Sequence, residues 1–159
     1  MSTRITEASI SLTLQRSHAI VNDLAAWVVD FCRMVTDDEG VASRLNLAAH
    51  ELLENVAKYG VGSSVRIELK VYRNEGAPRL CLTTTNLASP ERMARAVHIL
   101  EGLRDTRDPI AYYDNLVLES APKSGVSGLG LARICAEGEL ALDFEVKGDQ
   151  LSMSVLAKI

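Results

Sequence analysis

The chain has 159 residues, of which 47% are hydrophobic and 24% charged, a balance typical of one soluble globular domain. Its formal net charge of −4 argues against broad electrostatic binding of nucleic acid or of an anionic membrane surface. No apolar run reaches the roughly 20 residues of a membrane-spanning helix, and residues 1–4 lead into no apolar segment of a secretory signal. The three cysteines form no metal-binding pattern, so we expect reduced thiols and a cytoplasmic protein.

The first part of the chain predicts a strand followed by two helices. Residues 8–14 alternate apolar and polar side chains, as a half-buried strand does. Apolar residues then recur at helical spacing over residues 16–35 and 41–59, which predicts two amphipathic helices. The polar residues 36–40 separate the two and cap the second helix. Gly60 suits the left-handed residue that ends many helices.

The remainder of the chain predicts two hairpins separated by a helical insert. Strands are predicted at residues 65–72, 79–85, 140–147 and 151–157. Helices are predicted at residues 90–103, 109–118 and 129–138, with a mobile loop at 120–127. This order predicts an α/β (α+β) two-layer sandwich, in which helices cover one face of a mixed, mostly antiparallel sheet.

Three polar residues near the end of the second predicted helix share one face. Glu51 and Asn55 are four residues apart and Lys58 follows three residues later, so their side chains are neighbours on a helix. A carboxylate, an amide and an ammonium on one face could orient a water molecule, hold a metal ion and contact a phosphate. Glu54 lies off this face, so we interpret it as an ordinary surface residue.

A glycine-rich run precedes the helix predicted at residues 129–138. Gly125, Gly128 and Gly130 follow the pattern G-x-x-G-x-G, which differs from the dinucleotide-binding fingerprint G-x-G-x-x-G. Glycines allow the backbone to approach a ligand closely, and the free N–H groups at a helix start favour phosphate. The run is therefore a candidate phosphate-binding turn.

The two segments together resemble the GHKL (Bergerat-fold) ATPase superfamily, which combines an E-x-x-x-N helix with a later G-x-x-G-x-G-L turn. Within it, the chain is most similar to the anti-sigma-factor serine kinases, whose domain also starts with a strand and two helices. Residues 51–60 also resemble the corresponding box of sensor histidine kinases. The resemblance implies a single histidine-kinase-like ATPase domain over residues 1–159, with a helical insert and lid region at 89–127.

The resemblance also implies roles for the polar helix face. Glu51 matches the catalytic glutamate that polarises the attacking water or hydroxyl, and Asn55 matches the asparagine that coordinates the Mg²⁺ bridging the ATP phosphates. Lys58 matches a phosphate-contacting basic residue of histidine kinases. The implied cofactors are ATP and Mg²⁺, and one Asn ligand is sufficient because Mg²⁺ keeps several waters. The glycine box at the end of the ATP lid, whose N–H groups meet the triphosphate, corresponds to Gly125, Gly128, Gly130 and Leu131.

The chain departs from the family pattern at the adenine-reading box. The family has Asp-x-Gly-x-Gly after the third strand, and its Asp accepts a hydrogen bond from the adenine amino group. Asn86 is the best candidate for that position, because its amide oxygen can accept the same bond, but no glycine follows it. The insert after Ser89 is also helical and charged, whereas a typical lid is shorter and richer in glycine.

Two functions of different classes follow. The resemblance implies an ATP-binding serine/threonine protein kinase of the partner-switching type, which phosphorylates a small antagonist protein, sequesters a second regulator and forms a homodimer in many members. The alternative is a non-catalytic interaction module that has lost its nucleotide, favoured by the altered adenine box. A detached histidine-kinase domain fits the first strand less well.

The helical insert leaves a further alternative open. Its arginines and the neighbouring acids are typical of a solvated helix face, which could equally bind a partner protein; the arginines are Arg92, Arg95, Arg104 and Arg107. Tyr112 and Tyr113 add an aromatic pair of the kind favoured at protein interfaces.

Overall fold

The computed structural model describes residues 7–74, 77–121 and 128–159. The strands are β1 Ala8–Gln15, β2 Val61–Asn74, β3 Ala77–Leu87, β4 Ala141–Lys147 and β5 Gln150–Lys158. The helices are α1 Val21–Val35, α2 Glu39–Tyr59, α3 Pro90–Asp105, α4 Pro109–Ser120 and α5 Leu129–Ala136, with a short 3-10 helix at His18–Ile20. The predicted α+β fold class is confirmed.

The strands form one open sheet in the order β1-β2-β3-β5-β4. All pairings between these described strands are antiparallel. The sequence had predicted a mixed, mostly antiparallel sheet, whereas the described sheet is antiparallel throughout. Two of these pairings, β2 with β3 and β4 with β5, are hairpins, which are necessarily antiparallel.

One face of the sheet is apolar and the other polar. Leu69, Leu82 and Val155 lie side by side on β2, β3 and β5, and each is at most 1% exposed. On the opposite face the hydroxyls of Thr83 and Ser154 lie 2.8 Å apart on β3 and β5. This alternation explains why the helices pack on one face only, where their apolar sides find a matching surface.

Helix α2 crosses this apolar face and contacts β3, β5 and α5. Its start is fixed by Asp38, whose carboxylate accepts the backbone N–H groups of Gly40 and Val41 at 2.9 and 3.2 Å. Leu45 and Leu52 face the core and are fully buried. The residues that the sequence singled out lie beside this apolar side of the helix, where Glu51 and Asn55 are half-buried and Lys58 is exposed.

The first helix begins later than predicted. Ser17 caps a 3-10 turn by accepting the N–H of Ala19 at 3.1 Å, so α1 starts at Val21 instead of residue 16. Arg16 instead extends the strand pairing, since its backbone N–H donates to the carbonyl oxygen of Ser63 at 2.8 Å.

Gly60 is not the left-handed residue that the sequence predicted. Its φ and ψ are −60° and 145°. A Cβ there would lie 2.6 Å from the carbonyl oxygen of Val56, so glycine is needed because the backbone at this position packs closely against the end of α2. The glycine with a left-handed φ near this helix end is Gly62, with φ of 78°. The pairing of β2 with β3 shifts register between Val61 and Arg66, which lets β2 begin at Val61, before the predicted residue 65.

Helices α3 and α4 form the predicted insert, and each is capped. The hydroxyl of Ser89 accepts the N–H of Arg92 at 3.4 Å, and the carboxylate of Asp108 accepts the N–H of Ala111 at 3.0 Å. The loop predicted at residues 120–127 falls largely on 122–127, which lie outside the described residues. Within the described part of the chain, no helix is both long enough and apolar enough to cross a membrane.

Candidate functional site

A cavity lies where the end of α2, the end of β3, the start of α3 and the start of α5 meet. It contains about 500 Å³ of space that no protein atom fills, including the part open to solvent. Its walls are mainly apolar, formed by Ala88, Ala96, Ile99, Leu131, Leu151 and Met153. Its described polar lining consists of Asn55, Tyr59, Asn86 and Arg92, and Gly128 forms part of the rim. Ligand sites typically combine apolar walls with a few polar groups in this way.

The amide of Asn86 is incompletely satisfied. The residue is 7% exposed, and its Nδ2 donates to the carbonyl oxygen of Leu87 at 2.9 Å. Its Oδ1 is buried and accepts no hydrogen bond from the described residues. A buried acceptor without a hydrogen bond lowers the free energy of unfolding by about 1–3 kcal/mol. Because Asn86 also lines the cavity, its amide is a candidate contact for a ligand that brings an N–H donor.

Asn55 lies on the α2 side of the same cavity, so the structure brings Asn55 and Asn86 to one site. In the sequence they belong to different motifs separated by β2 and most of β3. Their meeting results from the packing of α2 across β3.

Glu51 lies one helical turn before Asn55 and is directed against α5. Its Oε1 accepts a hydrogen bond from Nη1 of Arg133 at 3.2 Å, and its side chain is 21% exposed. A Cβ built on Gly130 would overlap its Oε2. Gly130 therefore leaves room for the carboxylate of Glu51, a packing role beyond the phosphate contact that the resemblance implies.

Arg133 connects two carboxylates. Besides Glu51, it binds Oε2 of Glu137 through its Nε at 2.7 Å. The hydrogen bond to Glu137 is the main cause that raises the pKa of Arg133, and the charge of Glu51 raises that pKa further. Sequence reasoning missed Arg133, because its partner Glu51 is distant along the chain and is reached only through the packing of α5 on α2.

The structure separates Lys58 from the other two residues of its face. Its Nζ lies 3.4 Å from Oε2 of Glu54, four residues earlier on α2, and its side chain is 54% exposed. Lys58 is not among the described residues that line the cavity. The described cation at the cavity is Arg92, which the sequence placed on a solvated helix face.

Gly128 is the residue before α5 and has φ of 112°. A Cβ at this position would overlap Cδ1 of Ile99 on α3. Both the backbone conformation and the contact therefore require glycine. Leu131 follows in α5 and is 3% exposed, so its side chain packs in the core and forms part of the cavity wall. Gly125 lies outside the described residues.

We expect Gly128→Ala to lower the free energy of unfolding by about 2–4 kcal/mol, because it adds backbone strain and an overlap with Ile99. Urea denaturation monitored by circular dichroism measures this. Relative to Ile99→Val alone, the double variant Gly128→Ala/Ile99→Val, which lacks the overlapping methyl group, should lose only the backbone part of this free energy. Equal stability of Gly128→Ala and the unchanged protein would contradict this account of the turn.

The described residues at the cavity offer few groups that could bind a metal ion. No group of three or more His, Cys, Asp or Glu side chains that could hold a metal ion occurs within residues 7–74, 77–121 and 128–159. Asn55 offers one amide oxygen at the cavity. This suits an Mg²⁺ ion that arrives bound to phosphates and keeps most of its waters.

No family model and no curated protein matches this sequence. The structure, however, matches a chain from the crystal structure of the SiaB–SiaC complex from Pseudomonas aeruginosa, with a TM-score of 0.63. The match covers 94% of this chain and 89% of that chain at 17% sequence identity. The likeness therefore shows a shared fold over nearly the whole length of both chains.

Proposed function

We propose that the protein is an ATP-binding protein kinase of the partner-switching type, which transfers phosphate to a serine or threonine of a small antagonist protein. The observation that carries this proposal is the cavity in which Asn55 and Asn86 meet beside the glycine turn at Gly128. The family resemblance assigns these same residues to one nucleotide site.

Each part of the cavity suits one part of the nucleotide. The apolar walls suit the adenine base, and the unpaired Oδ1 of Asn86 suits its amino group. Asn55 would hold the Mg²⁺ that accompanies the phosphates and neutralises part of their charge. The absence of glycines after Asn86 does not close this site, because the neighbouring Ala88 is small and lines the wall.

Glu51 is the proposed catalytic residue. Its carboxylate would accept the proton of the attacking hydroxyl as oxygen attacks the γ-phosphorus and the bond to the bridging oxygen of ADP breaks. Glu51 does not line the cavity itself, but it lies one turn from Asn55 and on the side of α5. Arg133 holds it there, so the role of Arg133 is to position the carboxylate.

A protein partner is supported by two observations. The fold is shared with a chain taken from a complex of two proteins, SiaB and SiaC. Helix α4 also exposes Ile110, Val117 and Leu118, which are 59%, 39% and 73% exposed. Tyr112 and Tyr113, by contrast, pack against the core, so the aromatic pair suggested by the sequence is not the exposed surface.

Asn86→Leu tests the nucleotide site by calorimetric titration with Mg-ATP and Mg-ADP. We expect the Kd of both nucleotides to rise about 3- to 10-fold, because the acceptor for the adenine amino group is lost. The free energy of unfolding should change by less than about 1 kcal/mol, since a buried unpaired oxygen is removed along with one hydrogen bond. Asn115→Ala, an exposed amide on α4, serves as the matched control.

The result for the unchanged protein decides between the two functions. Absence of binding at millimolar Mg-ATP and Mg-ADP would exclude the kinase and leave the non-catalytic interaction module. The exposed apolar side chains of α4 suit either function, because a kinase and a module without nucleotide both need a surface for a protein partner. A homodimer and a sequestered regulator are further proposals that the resemblance supports.

A further inference from the structure

The positive charges around the cavity differ in how they are balanced. Lys58 pairs with Glu54 at 3.4 Å, and Arg133 binds two carboxylates. Arg92 instead donates through Nη1 to the backbone carbonyl oxygen of Tyr59 at 3.0 Å. No carboxylate lies within ion-pair distance of Arg92 in the described part of the chain. Of the described residues that line the cavity, Arg92 is the one with a basic side chain.

We propose that Arg92 makes the cavity selective for an anionic, phosphate-bearing ligand by contacting the phosphate directly. It would thereby take the role that the sequence assigned to Lys58. The identification of the ligand as a nucleotide rests on the proposed function, but the preference for an anion follows from the charge alone. A guanidinium has five N–H donors, so the bond to Tyr59 leaves donors available for phosphate oxygens.

Arg92 also has a structural contact that must be separated from ligand binding. Tyr59 is the last residue of α2, and an arginine near a helix C-terminus stabilises its free carbonyl groups. The guanidinium carbon also lies 5.8 Å from the centre of the Tyr59 ring. If Arg92 served only to hold α3 against α2, its loss would weaken neutral and anionic ligands alike.

Calorimetric titration of Arg92→Gln with adenosine, ADP and inorganic pyrophosphate, each in the presence of Mg²⁺, separates these roles. We expect the Kd of ADP to rise about 10-fold at low salt, and less at high salt, because Arg92 lies at the exposed rim of the cavity. The Kd of adenosine should change by less than about 2-fold, and pyrophosphate binding should be lost. Arg107→Gln, which removes the same charge outside the cavity lining, should bind all three ligands as the unchanged protein does.

Each alternative result has a definite meaning. An equal loss of adenosine and ADP affinity, or unchanged ADP affinity, overturns the inference on Arg92 and leaves the proposed function standing. Pyrophosphate binding that depends on Arg92, without any binding of ADP or ATP, supports the inference and overturns the proposed function. If the unchanged protein binds neither nucleotide nor pyrophosphate, both proposals fail.

Discussion

Replacement of Glu51 by glutamine is expected to slow phosphoryl transfer from Mg-ATP by about 10²- to 10⁴-fold, the usual contribution of a positioned general base. Glutamine has nearly the same shape but cannot accept the proton of the attacking group. Its side chain can still accept a hydrogen bond from Arg133, so the packing of α2 on α5 should survive. Because the ion pair is partly exposed, its loss should lower the free energy of unfolding by at most about 1 kcal/mol.

The rate can be measured without the protein substrate as single-turnover formation of ADP, with water in place of the protein hydroxyl. The Kd of Mg-ATP should remain within about 3-fold of the original value, because Glu51 does not line the cavity. Glu54→Gln, one turn away on the same helix and paired with Lys58, is the matched control and should retain the rate. Full activity of Glu51→Gln would remove Glu51 from the mechanism.

The elements of this fold could be predicted because their sequence patterns are local. Helix α2 shows an apolar side at helical spacing, and its buried residues Leu45, Leu52 and Val56 follow that pattern. The predicted start of α1 was wrong because the side chain of Ser17 caps a 3-10 turn before the helix. The spacing of apolar residues does not reveal such a cap. The prediction for Gly60 was wrong because glycine is used for close packing of backbone segments as well as for left-handed turns. The residue type alone does not distinguish these two uses.

The candidate site was predictable only where its residues belong to one helix. The spacing of Glu51, Asn55 and Lys58 predicts that they share one side of the helix, but it does not predict which residues they contact. Lys58 turns to Glu54 because an i, i+4 pair of opposite charge on a helix is locally favourable. Arg92 was missed because its place at the cavity depends on the packing of α3 beside the end of α2, a tertiary contact without a sequence signal.

Gly130→Ala is expected to reduce phosphoryl transfer as strongly as Glu51→Gln while leaving the protein folded. The added Cβ would overlap the carboxylate of Glu51, which must turn away from its place beside Arg133. The overlapping atom is the end of the flexible Glu51 side chain, so moving it should lower the free energy of unfolding only slightly. Alanine is also favoured over glycine within a helix by about 1 kcal/mol, which offsets part of the cost.

The decisive measurement is the double variant Gly130→Ala/Glu51→Gln. If both changes act through the same carboxylate, the double variant should form ADP no more slowly than either single variant, since the effects of residues that act as a unit do not add. Gly148→Ala is a control with the opposite pattern. Its φ of 62° predicts lost stability, and a Cβ there meets no atom within 4 Å, which predicts an unchanged rate.

A selective loss of Mg-ATP affinity in Gly130→Ala would point to a different cause. The backbone N–H groups at the start of α5 would then contact the triphosphate, as the family resemblance implies, and a side chain at residue 130 would disturb that contact directly. Retained affinity together with a lost rate instead assigns Gly130 to the placement of Glu51. The glycine turn would then serve catalysis through α2, because the space it leaves empty is what allows a carboxylate on one helix to lie against the start of another.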